Sequence, residues 1–380
     1  VLKYVIFPLR DGKLCHPLAV IFSNRSKTML LTDLGWNDFF DSHFEPYRKQ
    51  NLTALRITRA NREKYIACNE QGAYICDLPG KFRFAAGSKN NFPAVGDWVA
   101  ASIQPMEEKA AIQALLPRQN AFSRKTTGHL TEEQVVAANI DLAFIICGLD
   151  LNFNLRRIER YLSLAWESGA IPVVLLNKDD LCAEAEARKH EVQAIACGVD
   201  VHTVSARRPS GLDILNQYLK TGKTAAFLGS SGVGKSTIIN ALLGTARLKV
   251  NEVSELGSRG RHTTSFRELI LLPTGGMVMD TPGMRELQVW GEEEGLKQVF
   301  DDIEALVLQC RFKDCSHQTE PGCAVQKAVT DTTLDPERLK SFLKLKKEFA
   351  YLSDRQTMKA NAVEKKHWKT ISQQARNLKK

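Results

Sequence analysis

Apolar positions fall into distinct regimes along the 380 residues. Between residue 52 and about residue 118 they come in short alternating runs: Leu55-Arg56-Ile57-Thr58, Lys64-Tyr65-Ile66-Ala67-Cys68 and Ala73-Tyr74-Ile75-Cys76. Val95-Gly96-Asp97-Trp98-Val99-Ala100 follows a turn at Pro93. Alternation marks half-buried strands, and several short ones separated by turn residues predict a small barrel such as an OB-fold. Farther on the runs Ile171 to Leu176 and Thr224 to Leu228 are unbroken, and Val199 to Val204, Glu268 to Leu272 and Met277 to Met279 read as further strands. Continuous apolar runs of this length fit strands buried on both faces, as in a parallel α/β sheet. Ser236 to Leu243 reads as a helix behind the Thr224 strand. Past residue 338, Leu339, Phe342, Leu343, Leu345, Phe349 and Leu352 sit near helical spacing. The stretch from Lys365 to Lys380 has few apolar anchors and is expected to order only on a partner.

Two of these strands end in nucleotide chemistry. The Thr224–Leu228 run feeds Gly229-Ser230-Ser231-Gly232-Val233-Gly234-Lys235-Ser236, a P-loop followed by Thr237. Its backbone N–H groups and the helix N-terminus suit phosphates. Lys235 would reach the β- and γ-phosphates, and the Ser236 hydroxyl would hold Mg²⁺. The Ile171–Leu176 run ends in Asn177-Lys178-Asp179-Asp180, an N-K-x-D match. Asp180 would accept two hydrogen bonds from guanine N1–H and its 2-amino group, a donor pair adenine lacks. Lys178 would pack along the base and Asn177 would tie this loop to the P-loop. Ser205-Ala206, after the Val199–Val204 run, resembles the small motif whose backbone contacts the guanine oxygen.

The γ-phosphate side follows. Arg261-His262-Thr263-Thr264-Ser265 contains a threonine to ligate Mg²⁺, Thr263 or Thr264. Asp280-Thr281-Pro282-Gly283 is a D-x-x-G match, with Asp280 holding Mg²⁺ through water and the Gly283 amide sensing the γ-phosphate. Met284 stands where many GTPases carry a water-orienting glutamine, so slow intrinsic hydrolysis is expected. His262 is a candidate to position that water, or simply a loop histidine. The guanine motif precedes the P-loop, the reverse of the usual order. That points to a circularly permuted GTPase.

Cys310, Cys315, His317 and Cys323 follow C-x4-C-x-H-x5-C, a closed tetrahedral set for structural Zn²⁺. The remaining cysteines, Cys15, Cys68, Cys76, Cys147, Cys182 and Cys197, are scattered, as suits a reducing cytosol. No run of eighteen apolar residues exists, so no membrane span is expected.

Charge adds a possible partner. The formal net charge of +9 divides into +7 over residues 1–130, −8 over 131–337 and +10 over 338–380. Basic ends flanking an acidic centre favour a polyanion, or else form solvated faces. Arg56, Arg59, Arg62 and Lys64 with Tyr65 stand as candidates for RNA binding or for one solvated barrel face.

The fold class expected is multidomain: a permuted α/β P-loop GTPase domain, an N-terminal all-β OB-like barrel and a C-terminal zinc-binding helical domain. The expected bounds are an extension over 1–51, the barrel over 52–118, the GTPase over 119–290, the zinc-binding domain over 291–350 and a basic tail over 351–380. Met29-Leu30-Leu31 looks more like a natural start than Val1, with an upstream extension before it.

The combination resembles the RsgA family, circularly permuted GTPases of small ribosomal subunit biogenesis. It covers roughly residues 29–350. Its carriers are Gly96-Asp97-Trp98-Val99, Asn177 to Asp180, Gly229 to Thr237, Gly260 to Thr264, Asp280 to Gly283 and the cysteine–histidine set. The resemblance implies a GTPase stimulated by the 30S subunit that acts in its late maturation through 16S rRNA contact. It further implies a cytoplasmic monomer, Zn²⁺ on Cys310, Cys315, His317 and Cys323, and water positioning by His262. Two other readings stay open: a permuted GTPase acting on the large subunit, and a GTP-dependent rRNA-binding scaffold with negligible turnover.

Overall fold

The computed structural model describes residues 29–350 apart from 61–63, 88, 105–106, 126–132, 209–210, 247, 249–266 and 281–293; at 89, 124, 125, 133 and 280 it describes the backbone alone. After a short 3-10 turn at Leu31–Leu34, helix α1 (Asp38–Arg48) starts on an Asn37 cap whose side chain accepts the Phe40 N–H. Trp36, Phe40 and Phe44 recur every four residues, and Trp36 meets Trp98 edge-on at 4.7 Å between ring centroids. This segment therefore packs on the barrel that follows.

The barrel comprises β1 (Thr53–Ala60), β2 (Tyr65–Cys68), β3 (Ala73–Asp77), β4 (Trp98–Gln104) and β5 (Lys109–Leu115), with α2 (Gly80–Ala86) between β3 and β4. It closes in the order β1-β2-β3-β5-β4-β1, with β3 and β5 parallel. Leu55, Ile57, Ala67, Val99 and Ile112 fill its interior, as the alternation predicted.

The basic residues of β1 and β2 need a correction. Arg56 is 1% exposed and Tyr65 is buried, so neither forms an RNA-facing or solvated surface. Lys64 is exposed, and Arg62 lies outside the described residues. Arg56 points away from the barrel interior, but that face is covered by other parts of the chain. Its guanidinium donates to the carbonyls of Leu34, Gly96 (3.3 Å) and Asn139 (3.1 Å) and to Thr224 Oγ1 (2.9 Å). Burial lowers its pKa to about 10, which leaves it charged at neutral pH.

The Gly96-Asp97-Trp98 run has a physical role here. Gly96 has φ +91°, and a Cβ there would overlap the Ala138 carbonyl. Asp97 is fully buried; it accepts two bonds from Arg118 (2.8 and 2.7 Å) and one from the Ala94 N–H (2.7 Å).

Beyond the hairpin pair β6 (Ala121–Lys125) and β7 (Glu133–Ala138), the chain builds β8 (Leu142–Gly148), α3 (Leu155–Glu167), β9 (Ile171–Asn177), α4 (Ala185–Ile195) and β10 (Asp200–Val204). It then forms β11 (Thr224–Leu228), α5 (Lys235–Leu243), β12 (Arg267–Leu271) and β13 (Met277–Asp280). The spatial order is β10-β9-β8-β11-β13-β12, and the first five are parallel. Neighbours β8 and β11 send the chain to opposite sides, which makes the switch point where such sheets bind ligands. The antiparallel strand β12 also pairs with β1, so sheet and barrel are continuous.

The last helices are α6 (Glu294–Val299), α7 (Asp301–Val307), α8 (Ala324–Thr330) and α9 over residues 336–350. Leu339, Phe342, Leu345 and Phe349 are buried on one face of α9, as their spacing predicted; Leu352 lies outside the described residues. Phe300 and Phe342 pack at 5.5 Å. Arg338 is clamped by Glu159 (2.9 Å), both oxygens of Asp302 (2.7 Å each) and the Val299 carbonyl (2.9 Å), which ties α9 to α3 and α7.

Candidate functional site

The loop from Gly229 to Gly234 leaves the carboxyl end of β11, where all five strand residues are buried. Ser231 and Gly232 are exposed at its crest, while Gly234 to Thr237 are half-buried. Lys235 arches back and donates from Nζ to the carbonyls of Gly229 (2.8 Å) and Ser230 (2.7 Å). Gly234 has φ +102°. Helix α5 starts directly after it, so its first-turn N–H groups lack intrahelical partners and the helix end favours an anion.

The N-K-x-D residues meet this loop across the β8–β11 crevice. Asn177 is 2% exposed and donates from Nδ2 to the Val233 carbonyl at 2.8 Å, the tie its motif predicted. Its Oδ1 accepts the Ala206 N–H at 3.2 Å. That amide, expected from the motif to face a guanine oxygen, is thus engaged by Asn177. Lys178, at φ +69°, reaches Gly232 O (2.8 Å) and Asp150 Oδ2 (2.6 Å) from Nζ. Asp179 pairs with Arg208 at 3.4 Å. Asp180 is exposed and accepts from Ser205 Oγ at 2.7 Å; that hydrogen bond holds its carboxyl below the usual carboxylate range. One side of the crevice thus carries an oriented carboxylate and the other a lysine and helix N-terminus. Such a cleft can distinguish a base by its donor pattern and hold its phosphates.

The structure also shows partners that no motif marked. Asp150, in the loop after β8, fixes Lys178. Arg157 on α3 donates to Ser230 Oγ at 3.1 Å. Neither falls within a nucleotide signature, and only tertiary contact reveals them.

His262, Thr263, Thr264 and Gly283 lie outside the described residues. Asp280 is the last residue of β13, opposite Glu268 on β12. Since Met279 aligns with Ala226, β13 delivers Asp280 alongside the end of β11.

Cys310, Cys315, His317 and Cys323 converge, with their donor atoms within 4.8 Å of one another. His317 Nδ1 lies 3.6 Å from the sulfurs of Cys310 and Cys323, which are 3.9 Å apart. A tetrahedral zinc with Zn–S near 2.3 Å requires S···S of about 3.8 Å and S···N of about 3.5 Å. The donor set therefore fits, and the sulfurs are too far apart for a disulfide. Cys323 caps α8 and accepts the Gln326 N–H at 3.4 Å. Gln326 Nε2 in turn donates to the His317 carbonyl at 2.7 Å. The cluster could hold a metal ion with no coordination position left over.

Comparison with known proteins decides what this architecture belongs to. A sequence profile described as RsgA GTPase matches residues 115–290. The small ribosomal subunit biogenesis GTPase RsgA of Syntrophotalea carbinolica is 44% identical over 356 residues, 92% of this chain and 97% of that protein. The chain belongs to the RsgA family. The Xylella fastidiosa RsgA is 48% identical over 315 residues, 80% of this chain and 88% of that protein. Among solved structures, YjeQ from Thermotoga maritima matches with a TM-score of 0.58 and 28% identity, covering 79% of this chain and 98% of that one. YloQ, described as a circularly permuted GTPase, matches at 0.55 and 25%, covering 80% and 96%. The chain is a GTP hydrolase, and its guanine-motif strands precede the P-loop strand as the permuted order requires. The expected fold class holds: a permuted GTPase sheet, a closed five-stranded barrel and a Cys3His cluster in the C-terminal region.

Proposed function

We propose that this RsgA-family chain binds the small (30S) ribosomal subunit through 16S rRNA, assists its late maturation and hydrolyses GTP to GDP and phosphate, stimulated by the subunit. The observation that carries the nucleotide part is the Asn177–Val233 bond, which joins the guanine motif and the P-loop into one cleft. The subunit part is supported by the names of the relatives, small ribosomal subunit biogenesis GTPases. A basic face supports it further: Lys340, Lys344 and Lys347 are exposed along α9. The five scattered cysteines outside the metal set among the described residues, Cys68, Cys76, Cys147, Cys182 and Cys197, favour a reducing cytoplasm as the place of action. No described helix is long and apolar enough to cross a membrane. We take the working form to be a monomer.

In this reading Asp180 pairs with guanine, Lys178 lies along it and the Ser205-Ala206 turn supports the Asp180 loop. The loop from Gly229 to Thr237 cradles the phosphates, and Lys235 neutralises them. Ser236, Asp280 and Thr263 or Thr264 would hold Mg²⁺, which would offset phosphate charge when bound with GTP. Gly283 would sense the γ-phosphate, and His262 would position the attacking water in place of the glutamine that Met284 replaces. Zn²⁺ on Cys310, Cys315, His317 and Cys323 would brace the turn between α7 and α8 and supply no reaction chemistry.

Steady-state GTP hydrolysis with no addition, with purified 30S and with 50S subunits tests this reading. Strong stimulation by 30S alone is the expected result. Stimulation by 50S alone would transfer the role to the large subunit. Tight GTP binding with no stimulation would make the protein a scaffold.

A further inference from the structure

Two consecutive arginines open α3 and serve different neighbours. Arg156 pairs with Glu159 (2.6 Å) and with Asp335 just before α9. Arg157 points to the phosphate loop. Its Nη1 donates to Ser230 Oγ at 3.1 Å and to the Asn152 carbonyl at 3.4 Å. Ser230 is 8% exposed. Its carbonyl is already an acceptor for Lys235 Nζ, at 2.7 Å. Ser230 is thus gripped twice: by Arg157 through its side chain and by the P-loop lysine through its backbone.

We propose that Arg157 is a positioning residue for the phosphate loop, acting through Ser230 on the placement of Lys235. The inference rests on the nucleotide-binding reading given above. A charged donor on a largely buried hydroxyl makes a strong, directional bond. The bond fixes the carbonyl pair of Gly229 and Ser230 toward which Lys235 folds. A loop already fixed in this way does not have to be ordered when the phosphates arrive. The helix bearing Arg157 is itself anchored on its other flank. Arg160 makes a two-pronged pair with Glu348 at 2.5 and 2.7 Å, and Glu159 meets Arg338 at 2.9 Å. The aim of Arg157 is therefore set by the C-terminal helices as well as by α3.

The role is specific to phosphates. Asp180 and Ser205 are held by contacts that do not involve Arg157, so the base-reading carboxylate should keep its position. The test is equilibrium titration of the full chain with GMP, GDP and a non-hydrolysable GTP analogue. The variants are Arg157→Ala, Arg157→Lys, Ser230→Ala and the double alanine variant. The expected result is a rise of about tenfold in Kd for GDP and the GTP analogue in each alanine variant, with GMP nearly unchanged. The double variant should be no weaker than the worse single one, and Arg157→Lys should recover part of the loss. Unchanged GDP affinity, equal losses for GMP and GDP, or additive losses in the double variant would each overturn the proposal. If Arg157→Ala does not fold, Arg157→Lys and Ser230→Ala together decide by the same GDP-to-GMP comparison. A wild-type chain with no affinity for any guanine nucleotide would overturn the underlying reading and this proposal with it.

Discussion

Gly234 and Asn177 are packed so closely that a Cβ on the glycine would overlap the Asn177 amide nitrogen. The P-loop glycine is therefore needed by the guanine motif as well as by the phosphates. The residue also sits at φ +102°, where an L side chain is strained. Gly234→Ala should cost on the order of 1–3 kcal/mol locally. It should push Asn177 off the Val233 carbonyl and weaken both GDP and GMP. Calorimetric titration checks this; loss of GDP binding with GMP intact would show that the two motifs are not coupled here.

Asp180 supplies a test with a defined pH dependence. Its carboxyl is depressed first by the Ser205 hydrogen bond. An acid of that kind is ionised throughout the range above the ordinary value of about 3.9 and loses its charge only as pH falls through its own, lower value. Guanine affinity should therefore be flat between about pH 8 and pH 5 as far as this group is concerned. Asp180→Asn should lower GTP affinity about 100-fold, since one acceptor becomes a donor facing a donor. It should improve binding of xanthosine triphosphate, whose C2 oxygen accepts from the new amide. A variant that keeps its preference for GTP would remove Asp180 from base recognition.

The Cys3His cluster predicts one metal ion per chain. Cys323→Ser should lower bound zinc, measured by elemental analysis, and lower the melting temperature. Strong chelation should do the same. The cluster is built from residues outside the nucleotide cleft, so GDP affinity at 20 °C should remain within about threefold of wild type. Full zinc occupancy in the variant would contradict the assigned ligand set.

Arg56 should be among the costliest residues to replace. Arg56→Met keeps much of the volume but leaves the carbonyls of Leu34 and Asn139 without this donor. A loss of about 3–5 kcal/mol is expected. Urea unfolding checks it, and the barrel and nucleotide sheet should begin to unfold separately. A shift below about 1 kcal/mol would mean that water replaces the guanidinium at the junction.

The parts legible in sequence were those whose chemistry needs contiguous residues. Gly229 to Ser236 must be consecutive to wrap a phosphate, and the Cys310–Cys323 donors must lie on one tight turn. The strands were legible because burial on two faces leaves an unbroken apolar run such as Thr224–Leu228. Arg56 was misread for a matching reason. Alternation shows that a side chain leaves the barrel interior, but not whether water or another domain lies outside. The packing of Trp36, Phe40 and Phe44 was present as a four-residue spacing, yet its partner Trp98 lies beyond any local window. Arg157 gave no signal, because Arg156 beside it has the same chemistry and only the tertiary fold assigns them different tasks.

The continuity of β12 with β1 has a consequence for self-association. A sheet normally offers two unpaired edges to other chains. Here one end is rolled into the barrel, where β4 returns to β1. Among the described residues β10 is then the strand of the eleven-stranded sheet with one whole side unpaired, while β12 meets β1 through Arg267 and Glu268 alone. Strand β10 is five residues long, and its exposed Asp200 is bonded to the Tyr218 hydroxyl. Strand-by-strand growth between copies at that edge thus starts from a short, charged strand, even though the sheet itself is long.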